Sequence, residues 1–426
     1  MSHSDKIDEK AVDPKDPSTA TALNNLAVNL DNQARYAEAE PLYKKALEIY
    51  EKALGPENPN TIASLSNLAD NVYRQARYEE AELLFKRLLE ITEKVLGPKH
   101  LDTATTLNNL AVNLDSQARY AEAEPLHKRA LDIRKRVLGI KHLDTAQSFN
   151  NIANNLFWQG KYRDAEPHYK RAFNIREKVL GPKHQDTILP LHNLISSLEA
   201  QNKYFEAEPL LKKLLKIVEK EGGAKHPATA TVLHSLAVSV AKQTRYRDAE
   251  PLFKRAFEIR EEVLGPKHPD TLISLDKLLL NLDAQARYLD TEPLYRRAIE
   301  IYEKELGSEH PRTATALHNL AFNLDNQTRY LEAEPLYQRA IEIYEKELGP
   351  ESPDIASVLN NFAFNLNCQA RYSEAESLFK RAFEICEKKL GPEHPNTVGS
   401  LHNLCSNLDD QGRYSEAKEI REKYQK

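Results

Sequence analysis

Seven histidines stand where chemistry is conceivable: His100, His142, His184, His226, His268, His310 and His394, each followed within two residues by an aspartate or directly by a proline. Imidazoles beside carboxylates are the raw material of metal sites and of acid–base catalysis. Their spacing argues against both. The members lie 42 residues or a multiple of 42 apart, so no ligand set gathers around one point. At equivalent positions the chain carries Asp16, Asn58 and Ser352, all good helix N-caps. Proline follows many of them, as Pro59, Pro227 and Pro269, which suits the first helical position. The series reads as helix capping, with no catalytic residue and no metal ligand expected.

Two files of asparagine are a stronger pointer to function. One holds Asn25, Asn67, Asn109, Asn151, Asn193, Asn319, Asn361 and Asn403; the other, one helical turn later, holds Asn29, Asn71, Asn113, Asn155, Asn281, Asn323, Asn365 and Asn407. Asparagine is a poor helix-interior residue, so repeating it needs a cause. Its amide both donates and accepts, which matches an extended peptide backbone. The first file falls opposite the leucine stripe and is expected to face a peptide; the second lies nearer the neighbouring repeat and is expected to hold helices together. Beside them, one position changes chemistry from copy to copy, including Arg74, Trp158 and Lys242. Trp158, the single tryptophan, is of a type often found at interface hot spots. Acids five before the tyrosine (Asp31, Asp115, Glu199, Asp283, Asp325, Asp409) lead to the expectation of a neutral-to-basic ligand, with one apolar side chain near Trp158.

The elements that must position these residues follow from a single period. Ten tyrosines, Tyr36 through Tyr414, stand 42 residues apart, and nine glycines, Gly55 through Gly391, keep the same step. A period of this size marks stacked units, each too small to bury its own apolar face. In the unit at residues 59–100, Ile62, Leu65, Leu68, Ala69 and Val72 repeat at helical spacing, which predicts an amphipathic helix. Gln75–Arg77 makes a short turn, and a second helix from Tyr78 is expected to bury Ala81, Leu84, Phe85, Leu88, Leu89 and Ile91. Gly97-Pro98 is expected to end it in a left-handed cap. Glu82–Lys86 and Glu90–Lys94 are expected to be solubilising pairs on the outer face. The glutamine three before each tyrosine and the base just before it occur in all ten copies and read as scaffold.

Composition narrows the classes further. A net charge of -5 over 426 residues gives no basic field for nucleic acid, and no apolar run approaches the ~18 residues of a membrane span. Three cysteines, Cys368, Cys386 and Cys405, are too few for a disulfide framework and point to reduced thiols in a cytoplasmic protein. No glycine-rich phosphate loop, zinc spacing or nucleophile elbow occurs, so neither an enzyme nor a cofactor is expected.

The helix pair with Leu65, Leu68, Ala69, Tyr78, Ala81 and Phe85 at its packing points, and the strings LNNLA and EAEPLYKKALEI, resemble the tetratricopeptide repeat of the kinesin light chain variety. The resemblance implies an all-α solenoid of ten helix-turn-helix repeats in a right-handed superhelix, whose first helices line a concave groove that holds peptides. It departs from kinesin light chains in lacking the heptad coiled coil that joins the motor. The domain organisation expected is a disordered segment over residues 1–13, then one superhelical domain over 14–426 whose last repeat is a soluble cap. The function expected is a monomeric scaffold or adaptor for protein or peptide partners, with no small-molecule substrate. Self-association into an array, or service as a regulatory subunit of an enzyme or signalling complex, is the alternative.

Overall fold

A computed structural model describes residues 16–424; the expectation about residues 1–13 lies outside them. Two compact units divide at Leu210 and Leu211. The first carries α1 (Pro17–Asn32), α2 (Tyr36–Leu54), α3 (Pro59–Arg74), α4 (Tyr78–Val95) and α5 (Leu101–Ser116). It continues with α6 (Tyr120–Val137), α7 (Leu143–Trp158), α8 (Tyr162–Leu180) and α9 (Gln185–Ala200), and the division falls within α10 (Tyr204–Gly222). The second carries α11 (Pro227–Lys242), α12 (Tyr246–Leu264), α13 (Pro269–Asp283), α14 (Tyr288–Glu305) and α15 (Pro311–Asn326). Then follow α16 (Tyr330–Leu348), α17 (Pro353–Cys368), α18 (Tyr372–Leu390), α19 (Pro395–Asp410) and α20 (Tyr414–Tyr424). The described residues form twenty helices and no strand: an all-α solenoid of helix-turn-helix repeats.

Local chemistry sets each helix boundary. The histidines are N-caps: Nδ1 of His100, His142, His184, His226, His268, His310 and His394 accepts the backbone N–H two residues on. Asp16 and Asn58 do the same with oxygen. The threonine of the same string closes the outer loop, as where Thr103 Oγ1 donates to the Gly97 carbonyl at 2.9 Å and Thr145 Oγ1 to that of Gly139 at 2.9 Å. The terminal glycines are not left-handed α caps. Gly55 has φ 85° and ψ 164°, an extended mirror-image conformation essentially reserved for glycine. The left-handed residue lies instead in the inner turn, where alanine supplies it in five of ten copies, as Ala76 (φ 59°) and Ala118 (φ 58°).

The core follows the amphipathic stripe. Leu65, Leu68, Ala69, Val72, Ala81, Phe85 and Leu88 are buried in one cluster of the first unit. Ile62, Leu84, Leu89 and Ile91, expected beside them, are only half-buried against its edge. Alanines at the crossings, such as Ala69 and Ala81, are fully covered; a larger side chain there would overpack by ~1–3 kcal/mol. The outer-face pairs differ from expectation. Glu82 does bind Lys86 at 2.7 Å but is itself buried, and Lys94 pairs with Glu57 of the preceding repeat at 2.5 Å, not with Glu90. The three cysteines are free thiols, Cys368 exposed and Cys386 and Cys405 buried.

Candidate functional site

The repeated polar residues form a clasp between neighbouring repeats. Glu82 accepts from Arg119 at 2.6 Å and Gln117 at 3.2 Å, both of the next repeat, and Arg119 also holds Glu122 at 2.7 Å. Glu40, Glu124 and Glu376 hold the same position. Against the pull of burial, Lys and Gln partners, with an Arg for Glu40 and Glu376 and a second Lys for Glu124, hold each carboxyl down to about 2. Sequence reading recognised the glutamine and the base as scaffold but missed this glutamate, four after the tyrosine, whose near-invariance was the available signal. The second asparagine file completes the clasp. Asn71 Nδ2 donates to the Tyr36 carbonyl at 3.0 Å and to Asp31 at 2.6 Å, and Asn155 to the Tyr120 carbonyl at 2.9 Å and Asp115 at 2.6 Å. Asn365 repeats the arrangement in the second unit with Tyr330 and Asp325. Asn29, in the first described repeat, is exposed.

The acids therefore do not form a free acidic rim. Asp31 also accepts from Tyr43, Asp325 from Tyr337, and Asp283 from Tyr295 and Thr291. Asp115 holds His127, and Asp409 is paired with Arg421. Five of the six acids thus have partners inside the fold, and the expectation of a neutral-to-basic ligand loses its basis.

The first asparagine file bridges successive first helices. Within the first unit, Asn67 Nδ2 donates to Asn24 (3.2 Å), Asn109 to Asp70 (3.3 Å), Asn151 to Asn108 (2.8 Å) and Asn193 to Asn154 (3.2 Å). In the second, Asn361 meets His318 Nε2 at 2.8 Å. Asn151 is buried, and its Oδ1 accepts from Gln147 at 2.7 Å. The oxygens of Asn67 and Asn193 have no such donor, and both residues are only half-buried. Asn25 and Asn403 are exposed and Asn319 half-buried. The file is thus partly structural, with carbonyl oxygens left over at some rungs and not at others.

The variable position is exposed in all ten repeats, from Asn32 through Arg74, Trp158 and Lys242 to Asp410. Arg74 lies over the Tyr36 ring, 5.9 Å from its centroid. Trp158 is 67% exposed and meets Phe157 edge-on at 5.7 Å. It borders an open depression of about 390 Å³ lined also by Val112, Asp115, Ser116, Tyr120, Asn151 and Asn154.

Beneath the same face lie cations that the sequence did not reveal. Arg134, Arg176 and Arg260 are buried, and none forms an ion pair. Arg134 donates to Ser148 Oγ at 2.9 Å and to Thr105 Oγ1 at 3.3 Å; Arg176 donates to the Asp186 carbonyl at 2.9 Å and to Gln147 Oε1. Each guanidinium thus reaches between two successive first helices. Burial lowers the pKa of all three. At the equivalent position Tyr50 and Tyr344 meet Thr21 and Thr315 at 2.8 Å and 2.6 Å, so arginine replaces a neutral hydroxyl with a charge. In sequence these arginines sit within charged helical runs and read as solvated.

Among the described residues no cluster of three or more His, Cys, Asp or Glu could hold a metal ion, and no helix is long and apolar enough to cross a membrane. The tetratricopeptide repeat matches residues 18–94, 73–136, 188–262, 236–290, 282–346, 322–388 and 354–424, and a second model of that repeat matches 145–186. No curated protein matches the chain. Among solved structures, the apo form of RapI is similar at 14% identity and a TM-score of 0.52, over 87% of this chain and 98% of RapI. A Podosopora anserina protein of nearly identical TPR-like repeats, described as of kinesin light chain type, is 24% identical with a TM-score of 0.43, over 48% of this chain and 97% of its own. BtubC from P. vanneervenii is 19% identical with a TM-score of 0.43, over 55% of this chain and 89% of its own. At these identities the likeness concerns the fold.

Proposed function

Because the chain belongs to the tetratricopeptide repeat family, we propose that it is a non-enzymatic scaffold that holds a peptide segment of a partner protein along its first helices. One observation carries the reading: the glutamine, base and glutamate that recur in nearly every copy are engaged with each other, whereas the first-helix position four before the tyrosine changes chemistry and is exposed in all ten copies. Selection for packing explains the former; a surface that selects a ligand explains the latter. In the first unit the peptide backbone would meet the free amide oxygens of Asn67 and Asn193, and an apolar side chain would lodge beside Trp158. A carboxylate or other polar group over Arg134 or Arg176 would add to the weaker, indirect attraction of Asp144 or Asp186 for a buried cation that makes no direct ion pair.

The test is site-specific photocrosslinking. A benzophenone amino acid is placed at position 158, or at Leu83 on the second-helix face, which is 69% exposed, and the full chain is challenged with peptides selected from a random library. Crosslinking from 158 and not from 83, abolished by Asn67→Ala with Asn193→Ala, supports the reading. Equal crosslinking from both positions refutes it.

A further inference from the structure

The outward side of the second helices carries a regular ladder of ion pairs. Fifteen residues after the tyrosine, eight of nine copies have glutamate, and the next repeat presents lysine or arginine opposite it. In the first unit Glu51 pairs with Arg87 and Glu93 with Arg129, both at 2.6 Å. The second unit repeats this with Glu219–Arg255 at 2.7 Å and with Glu303–Arg339 and Glu345–Arg381 at 2.6 Å. The single exception is Lys135, which stands opposite Arg171.

A second ladder fails at the same place and once more in the second unit, where Lys267 faces Lys304 and turns to Glu305 at 2.5 Å. Where the loop after one second helix meets the end of the next, Lys94 pairs with Glu57 and Lys388 with Glu351, both at 2.5 Å, and Lys225 with Glu262 at 2.6 Å. Within the first unit the rungs after Glu57–Lys94 oppose Lys99 to Arg136 and Lys141 to Lys178. The five other cations of these rungs (Lys99, Lys135, Arg136, Lys141 and Lys178), and Lys183 beyond them, are exposed and make no ion pair among the described residues. Arg171, lacking its glutamate, lies over the Phe149 ring, 5.5 Å from its centroid. The pKa of His168 is lowered by burial first and then by Arg171, Lys128 and Lys135, so these charges act on one neighbourhood.

Acids do not cancel the patch. Asp132 is exposed on α6, and Glu177 is already engaged on α8. Asp102, Asp144 and Asp186 lie beside their cap histidines at 3.6–3.7 Å but are exposed acids of the same loops, so with Asp132 four carboxylates stand against seven cations. Asn174 replaces the Glu48 and Glu90 of earlier repeats. Like charges opposed across a packed seam are destabilising, and here they coincide on successive rungs. Val137 (53%), Ile140 (52%) and Val179 (53%) are exposed among them.

We infer that this face of α6 and α8, with the loops before α5, α7 and α9, is a second docking surface, for an acidic protein segment that also carries aliphatic side chains. The cations demand negative charge, and the valines and isoleucine demand apolar groups beside it. No Phe, Tyr or Trp ring is exposed among them for nucleobases to stack on, and the imidazoles of His100, His142 and His184 are already held by backbone N–H groups, which disfavours single-stranded nucleic acid. The apolar residues are small aliphatics and not the Trp or Phe of a membrane-surface helix. Cations on successive second helices call for carboxylates repeated along an extended segment, and not for a single acid.

The probe is a fluorescein-labelled 15-residue peptide with glutamate at every third position and leucine or valine between, and its glutamine counterpart. Anisotropy of the full chain should show binding of the glutamate peptide only, weakening steeply with salt. The variant Lys99→Glu/Lys135→Glu/Lys141→Glu installs the residue that other repeats already carry at these positions, so its fold is preserved; it should weaken binding at least tenfold with an undiminished melting temperature. Asn67→Ala with Asn193→Ala should leave this binding unchanged, which separates the surface from the first-helix site. Unaltered affinity in the triple glutamate variant overturns the inference. So does tighter binding to phosphatidylserine vesicles or oligouridine than to the peptide.

Discussion

Replacing Asn151 with alanine separates the structural rungs of the asparagine file from those available to a ligand. Asn151 is buried, donates to Asn108 at 2.8 Å and accepts from Gln147 at 2.7 Å. Alanine leaves an acceptor and a donor without partners in a covered seam, a loss of ~1 kcal/mol for each hydrogen bond. Against that ~2 kcal/mol, alanine is the better helix former by ~0.6 kcal/mol, so the net loss is ~1.5 kcal/mol. Asn193 makes one longer bond, 3.2 Å to Asn154, and is half-buried. The gain in propensity offsets most of its loss, and Asn193→Ala, like Asn67→Ala, should be neutral to within ~0.5 kcal/mol. Urea unfolding followed by circular dichroism gives the midpoints and slopes, and anisotropy with a selected peptide gives the affinity. The expected pattern is a lower midpoint for Asn151→Ala alone, and weaker capture for the Asn67→Ala/Asn193→Ala double variant at unchanged stability. If Asn193→Ala loses as much stability as Asn151→Ala, or the double variant binds as tightly as the parent, the division of the file is wrong.

Glu82→Gln removes a buried carboxylate that holds Arg119, Gln117 and Lys86; since Arg119 keeps Glu122, the loss should be ~2 kcal/mol, seen in hydrogen exchange as faster opening of α3–α6 than of α15–α18. Ala118→Gly relieves a left-handed alanine at φ 58°; strain of ~1–2 kcal/mol is recovered less the ~0.5–1 kcal/mol entropy of glycine, and the melting temperature should rise slightly. Acid should act in two stages. His234 and His318, lowered to about 4, lose stability as pH falls from 6.5, while Asp70 and Asp325, raised to about 6, gain it as they protonate, so little net change is expected down to pH 4. Below that, Glu40, Glu124 and Glu376, depressed to about 2, lose their contribution between 4.5 and 2, and a melting series should fall steeply there.

Much of the architecture was legible because it repeats. Tyr36 and its nine successors fix the register, the Leu65–Val72 stripe fixes the buried face of α3, and the exceptions Asp16, Asn58 and Ser352 mark the histidines as caps. The site was legible only in outline. Exposure of the Arg74–Trp158–Lys242 position follows from helical geometry, but hydrogen bonds reaching back to the previous repeat do not. The same spacing places Asn151 and Asn193 on one file, yet one is buried and doubly bonded and the other is not, because the residues they meet, Asn108 with Gln147 in one case and Asn154 in the other, differ. Asp31 and Asp325 looked like a charged edge and proved to be acceptors for Tyr43 and Tyr337.

By itself, then, the sequence determines the repeat length, the helices, their caps and the buried stripe. Those depend on residues within one unit, separated by a few positions, where periodicity and local hydrogen bonding suffice. Only the tertiary structure decides which polar groups are already used. Glu82 meets Arg119 across 37 positions and Asn151 meets Asn108 across 43, distances at which no local rule applies. The same holds for charge. Arg134 and Lys135 are neighbours in a basic run, but α6 buries the first between two helices and leaves the second opposite Arg171 at the surface. A charge's consequence is set by its solvation and its partners, and those are properties of the packed chain.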